Sequence, residues 1–61
     1  MIDIRTAILG LLQDSQERRG NIERAISKIG ISQEKVSEKI EEMLEDGELY
    51  NPEYGVIERT K

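Results

Sequence analysis

Ser32-Gln33-Glu34-Lys35-Val36-Ser37-Glu38-Lys39-Ile40-Glu41-Glu42-Met43-Leu44-Glu45-Asp46-Gly47 reads as one complete helix with both of its ends marked. Ser32 is an N-cap candidate, because its hydroxyl can accept an orphan backbone N–H of the turn that follows. Val36, Ile40, Met43 and Leu44 recur at helical spacing and make one apolar stripe. Gly47 ends the helix, since glycine takes the left-handed conformation at little steric cost. At roughly 100° per residue, Glu34, Glu38, Glu41, Glu42 and Glu45 fall on the side opposite the stripe, with Lys35 and Lys39 on one flank. This helix therefore has an aliphatic inner face and an acidic outer one.

Working back from Ser32, only Gly30 and Ile31 separate this helix from another. Ile22, Ala25, Ile26 and Ile29 share a face, Asn21 is the candidate cap and Gly30 the stop, so the spacing predicts a helix over about 21–29. Two helices joined by so short a glycine-containing turn form a helix-turn-helix unit, with Ile31 pointing into the shared core. Further back, Ile4, Ala7, Ile8, Leu11 and Leu12 predict an amphipathic helix over about 2–13, with Asp3 placed to cap it or to favour its dipole. Gly10 lies inside it at a cost of about 1 kcal/mol relative to alanine, which suggests close passage of a neighbouring helix. Asp14 to Gly20 contains no apolar residue and reads as a loop.

Forward of Gly47 the pattern changes to that of a hairpin over about 48–59. Glu48-Leu49-Tyr50 and Val56-Ile57-Glu58-Arg59 are short strand candidates, joined by the turn-forming Asn51-Pro52-Glu53-Tyr54-Gly55. Thr60 and Lys61 are expected to fray. The whole chain, residues 1–61, is one domain: mainly α with a small β-hairpin, a winged helix made of three helices plus a wing. Many DNA-reading proteins place their major-groove reader on the third helix, and here the outer face of that helix is acidic.

Composition narrows the function classes. The chain has 61 residues, no cysteine and no histidine, which excludes disulfides, Cys/His zinc sites and histidine general bases. Ser15, Ser27, Ser32 and Ser37 have no histidine to activate them, so no catalytic residue, cofactor site or metal site is assigned and the chain is not read as an enzyme. No apolar run reaches membrane-spanning length and the start lacks a signal-peptide pattern, so a cytoplasmic setting without membrane partners is expected. The net charge is −4. Residues 1–30 carry five basic and four acidic side chains, whereas residues 31–61 carry four and nine. An acidic domain repels phosphate at long range and disfavours strong autonomous nucleic-acid binding, while leaving room for a local basic patch.

Two surfaces follow. The glutamates at 34, 38, 41, 42 and 45 either dock a basic partner or form a solvated face. Their like-charge pairs at i, i+4 (Glu34–Glu38, Glu38–Glu42, Glu41–Glu45) each cost roughly 0.2–0.5 kcal/mol, offset in part by Lys35–Glu38 and Lys39–Glu42. Arg18, Arg19, Arg24 and Lys28 either touch nucleic-acid phosphate or an acidic neighbour, or are ordinary surface charge interleaved with Glu17 and Glu23. Tyr54, near the wing tip, and Tyr50 can stack on an unpaired base, but packing on the core edge or the wing is the expectation for both.

Gly30-Ile31-Ser32, the Glu/Lys-rich helix and Gly47-Glu48-Leu49-Tyr50-Asn51-Pro52-Glu53-Tyr54-Gly55 resemble the C-terminal winged-helix domain of archaeal minichromosome maintenance (MCM) replicative DNA helicases. In that family a helix-ending glycine is followed by an acidic, an aliphatic and an aromatic residue, then a proline-containing wing and an aromatic-glycine pair. The resemblance spans about residues 20–58 and departs at Glu53, where the family often carries a basic residue. It implies a non-catalytic appendage of a hexameric, ATP-dependent helicase whose motor lies elsewhere, since no phosphate-binding G-x-x-x-x-G-K-[ST] loop is present. The implied partners are the motor domains of the parent helicase or another replication protein, with at most weak nucleic-acid contact. The alternative is a small archaeal winged-helix nucleic-acid-binding protein, either a transcription regulator or a single-strand binder.

Overall fold

The computed structural model describes residues 3–60. Its elements, in chain order, are α1 (Ile4–Leu11), β1 (Glu17–Arg18), α2 (Arg19–Ser27), α3 (Gln33–Glu45), β2 (Leu49–Tyr50) and β3 (Val56–Arg59). The chain is mainly helical, with a small antiparallel sheet in the order β1-β3-β2.

The periodic apolar positions generate the core. Ile8 and Leu12 from α1 and its end, Ile22 and Ile26 from α2, and Val36, Ile40 and Met43 from α3 are buried together with Leu49 and Ile57 of the hairpin. Ile4, Ala7, Leu9, Ile31 and Leu44 pack around them. No polar or charged side chain among the described residues is buried, so the interior holds no polar group that needs a partner.

α3 follows its reading closely. Ser32 is the N-cap, its Oγ accepting the Lys35 N–H at 3.2 Å, and Gly47 takes φ +81° just past the Asp46 C-cap. Ile31 packs onto the core as expected. The hairpin also forms: Leu49 pairs with Arg59 and Tyr50 with Glu58, while Gly55 turns the wing at φ +77°.

Elsewhere the structure corrects the reading. The segment 14–20 is not a plain loop, because Glu17 pairs with Ile57 and Arg18 with Val56 to make a third strand. A two-residue edge strand pairs through its backbone and needs no apolar alternation, so its sequence carries no strand signature. α2 consequently starts earlier, with Arg18 and not Asn21 at the N-cap, and Asn21 lies inside the helix with its amide donating to Glu17 at 3.2 Å. It also ends earlier, at Ser27, leaving Ile29 54% exposed in the turn before Gly30 and Ala25 exposed on the helix.

α1 is shorter than expected; residue 2 lies outside the described residues, and the helix stops at Leu11 with Leu12 as C-cap. Asp3 occupies its N-cap, but its carboxylate accepts from the Thr6 hydroxyl at 3.2 Å and from no backbone N–H. A Cβ added to Gly10 would meet nothing within 4 Å, so no helix passes closely there. Thr60 is tied in by its N–H to the Glu48 carbonyl at 3.0 Å, and Lys61 lies outside the described residues.

Candidate functional site

The basic candidates separate into one structural side chain and three outward ones. Arg19 opens α2, and its half-buried side chain turns toward α3. Its Nε donates to Glu23 at 3.1 Å, Nη1 to Glu41 at 2.7 Å, and Nη2 to the Ser37 hydroxyl at 2.7 Å. Partial burial pulls down its pKa, but the hydrogen bonds to Glu41 and Glu23 outweigh that and hold it raised. The Arg19 N–H also donates to the Gly55 carbonyl at 2.9 Å, fixing the start of α2 against the wing. Arg19 is therefore occupied within the fold and unsuited to bind a ligand. Arg18, Arg24 and Lys28 are exposed and make no ion pair among the described residues.

On α3, Glu34, Glu38, Glu41, Glu42 and Glu45 are all exposed. Two of them are engaged: Glu41 by Arg19, and Glu42 by Lys39 at 3.4 Å across one turn. Glu34, Glu38 and Glu45 make no ion pair among the described residues, so the outer face of α3 keeps its acidic character.

The wing behaves differently at its two tyrosines. Tyr50 faces Glu58 across β2 and β3, and that neighbouring carboxylate, with some desolvation, raises its phenol pKa. Tyr54 is fully exposed at the tip, against the expectation that it packs on the core edge or the wing. Asn51 closes the loop beneath it, Nδ2 donating to the Val56 carbonyl at 2.8 Å. Because Arg18 pairs with Val56 and Arg19 holds Gly55, the wing and the start of α2 form one edge of the molecule. Arg24 and Lys28 lie farther along α2.

The ion pair between Arg5 of α1 and Glu48, just before β2, had no local signature, its partners being 43 residues apart. The Arg19–Glu23 pair did have one, in its i, i+4 spacing.

Two open surface depressions flank the strand ends. One lies between Leu12–Ser15 and Glu58–Thr60, and the other is lined by Arg5, Leu9, Gly47, Glu48, Arg59 and Thr60. Neither presents a buried polar group. Among the described residues no cluster of acidic side chains could hold a metal ion, and no helix is long and apolar enough to cross a membrane. Compared with protein-family models, curated proteins and solved structures, the chain matches no family, no curated relative and no structural neighbour.

Proposed function

We propose that this chain is a winged-helix interaction module of an archaeal MCM-type replicative helicase, docking against the motor domains and shifting their activity while touching DNA only weakly. The winged-helix reading draws support from the element order and from β1 joining β3 beside the hairpin. The helicase reading rests on the sequence resemblance over about residues 20–58.

The observation that carries the functional reading is the outer face of α3. A helix that reads the major groove must bring cations or hydrogen-bonding groups to phosphates and base edges. Here that position presents Glu34, Glu38 and Glu45 without ion-pair partners among the described residues. DNA contact then falls to Arg18, Arg24 and Lys28, and three cations give weak, salt-sensitive binding. The second reading, a small nucleic-acid-binding protein, is favoured by the fully exposed Tyr54, whose ring is available for base stacking.

Titrating the isotope-labelled chain with single-stranded and duplex DNA separates the two by residue-resolved NMR shifts. The module reading expects weak shifts confined to residues 18–28 that vanish at physiological salt. Tight binding through α3, lost on Glu38→Lys with Glu42→Lys but kept on charge reversal at Arg24 and Lys28, overturns it. The helicase assignment has its own test: added to an archaeal MCM motor lacking its C-terminal domain, the chain should change the ATPase rate, and no change refutes the assignment.

A further inference from the structure

The apolar stripe of α2 is wider than the core needs. Of its four members, Ile22 and Ile26 are buried, whereas Ala25 is exposed and Ile29 is 54% exposed. At roughly 100° per residue, Asn21, Arg24 and Ala25 share one flank of the helix, which the αR C-cap Lys28 and Ile29 in the turn that follows continue. Arg19, which bonds toward α3, and Glu23, which accepts from Arg19, lie on the opposite side. The single carboxylate of α2, Glu23, is thus turned away, and Glu17 of β1 reaches only the N-terminal end of the flank through Asn21. The C-terminal half, Arg24, Ala25, Lys28 and Ile29, is left purely cationic and apolar.

The helix dipole explains part of this, because cations near a helix C-terminus are favourable. It does not explain an isoleucine left half in water beside them. Phosphate alone does not explain Ile29 either, since an anion offers nothing for an aliphatic side chain to bury against. A ligand that pairs carboxylates with aliphatic side chains uses both halves of the surface.

We propose that this flank of α2 docks an acidic amphipathic helix of a partner protein, its aliphatic side chains over Ala25 and Ile29 and its carboxylates on Arg24 and Lys28. The inference rests on the reading of the chain as an interaction module, and it names the face and the chemistry of the partner. The helix-in-groove mode of recognition supplies the physics: apolar anchors at helical spacing for affinity, charge pairs at the rim for orientation.

The test titrates the labelled 61-residue chain with a synthetic Glu/Leu amphipathic peptide of about 20 residues, beyond the length at which isolated helices are marginal. A scrambled peptide of the same composition and a single-stranded oligonucleotide run in parallel. The expected result is saturable shifts at residues 24–29 with the amphipathic peptide, none with the scrambled peptide, and with the oligonucleotide only the weak shifts that vanish at physiological salt. Ile29→Ser, and separately the pair Arg24→Glu with Lys28→Glu, should each weaken binding on the order of tenfold. All three positions are exposed, and retained spectral dispersion verifies folding of the variants. Absence of saturable shifts, equal binding of the scrambled peptide, indifference to Ile29→Ser, or tighter occupancy of the same residues by the oligonucleotide overturns the proposal. The motor assay above reads the wider function and this titration reads the face, so either can fail while the other stands.

Discussion

Arg19 sits among four arginines and lysines that the sequence groups together, yet its surroundings give it a different task. Its guanidinium joins Glu23 of its own helix to Glu41 and Ser37 of α3, using the planar fork that lysine lacks. Hydrogen bonds to charged groups contribute roughly 1.5–3 kcal/mol each when shielded, and much less when water competes. Glu41 is 62% exposed, so the fork as a whole should be worth less than the sum of its bonds. Arg19→Gln is expected to destabilise the chain by about 1–2 kcal/mol, and Arg19→Lys to recover only part of that. Urea denaturation measures both. A loss under about 0.5 kcal/mol for Arg19→Gln would mean that the α2–α3 bridge is not populated in solution. Arg18, its neighbour in sequence, faces solvent without an ion-pair partner among the described residues, and the same substitution there should leave stability nearly unchanged.

At the scale of elements, the glycines make a test of opposite signs. Gly47 at φ +81° and Gly10 inside α1 both have open space where a Cβ would stand, so sterics with neighbours cancel from the comparison. Gly47→Ala forces a side-chain-bearing residue into the left-handed region and should cost about 1 kcal/mol. Gly10→Ala removes backbone entropy from the unfolded chain and should gain about 0.5–1 kcal/mol. Thermal melts of the two variants shift in opposite directions, and a shift of the same sign would show that one helix boundary is misplaced. Both ends of α3 were legible because cap, stripe and stop agree: Ser32, then Val36-Ile40-Met43, then Gly47. β1 was not legible, because Glu17 and Arg18 are held by pairing with β3, which no local pattern encodes. Once Arg18 is held in the sheet, α2 can begin at Arg19, and the plausible cap Asn21 becomes an interior residue. The site shows the same division. The acidity of α3 could be read from helical spacing, whereas Arg19's withdrawal and Tyr54's exposure depend on tertiary neighbours.

For the molecule as a whole, the side-chain tie of greatest sequence separation among the described residues is Arg5 to Glu48, which joins the first helix to the turn before the hairpin. Thr60 donates its N–H to the carbonyl of the same Glu48, so the first helix and the chain just past the last strand meet at one residue. The hydrogen bond from Arg5 lowers the pKa of Glu48; partial desolvation opposes this, and the charges of Arg5 and Lys39 assist. A carboxyl whose folded pKa lies below its unfolded value, near 4.3 for glutamate, binds its proton more weakly when folded. Its contribution to stability is therefore present above the unfolded pKa and is lost as the pH falls through the folded one. Glu48→Gln isolates the effect, because subtracting its stability from that of the parent chain at each pH cancels the remaining carboxylates. The parent should be the more stable at pH 7, with the difference shrinking as the solution is acidified through and below the ordinary glutamate range. Urea denaturation at successive pH values reads this directly. A difference that stays constant or widens toward acid would show that Arg5 does not hold Glu48 in solution. The first helix would then be kept in place by Ile8 and Leu12 in the core alone.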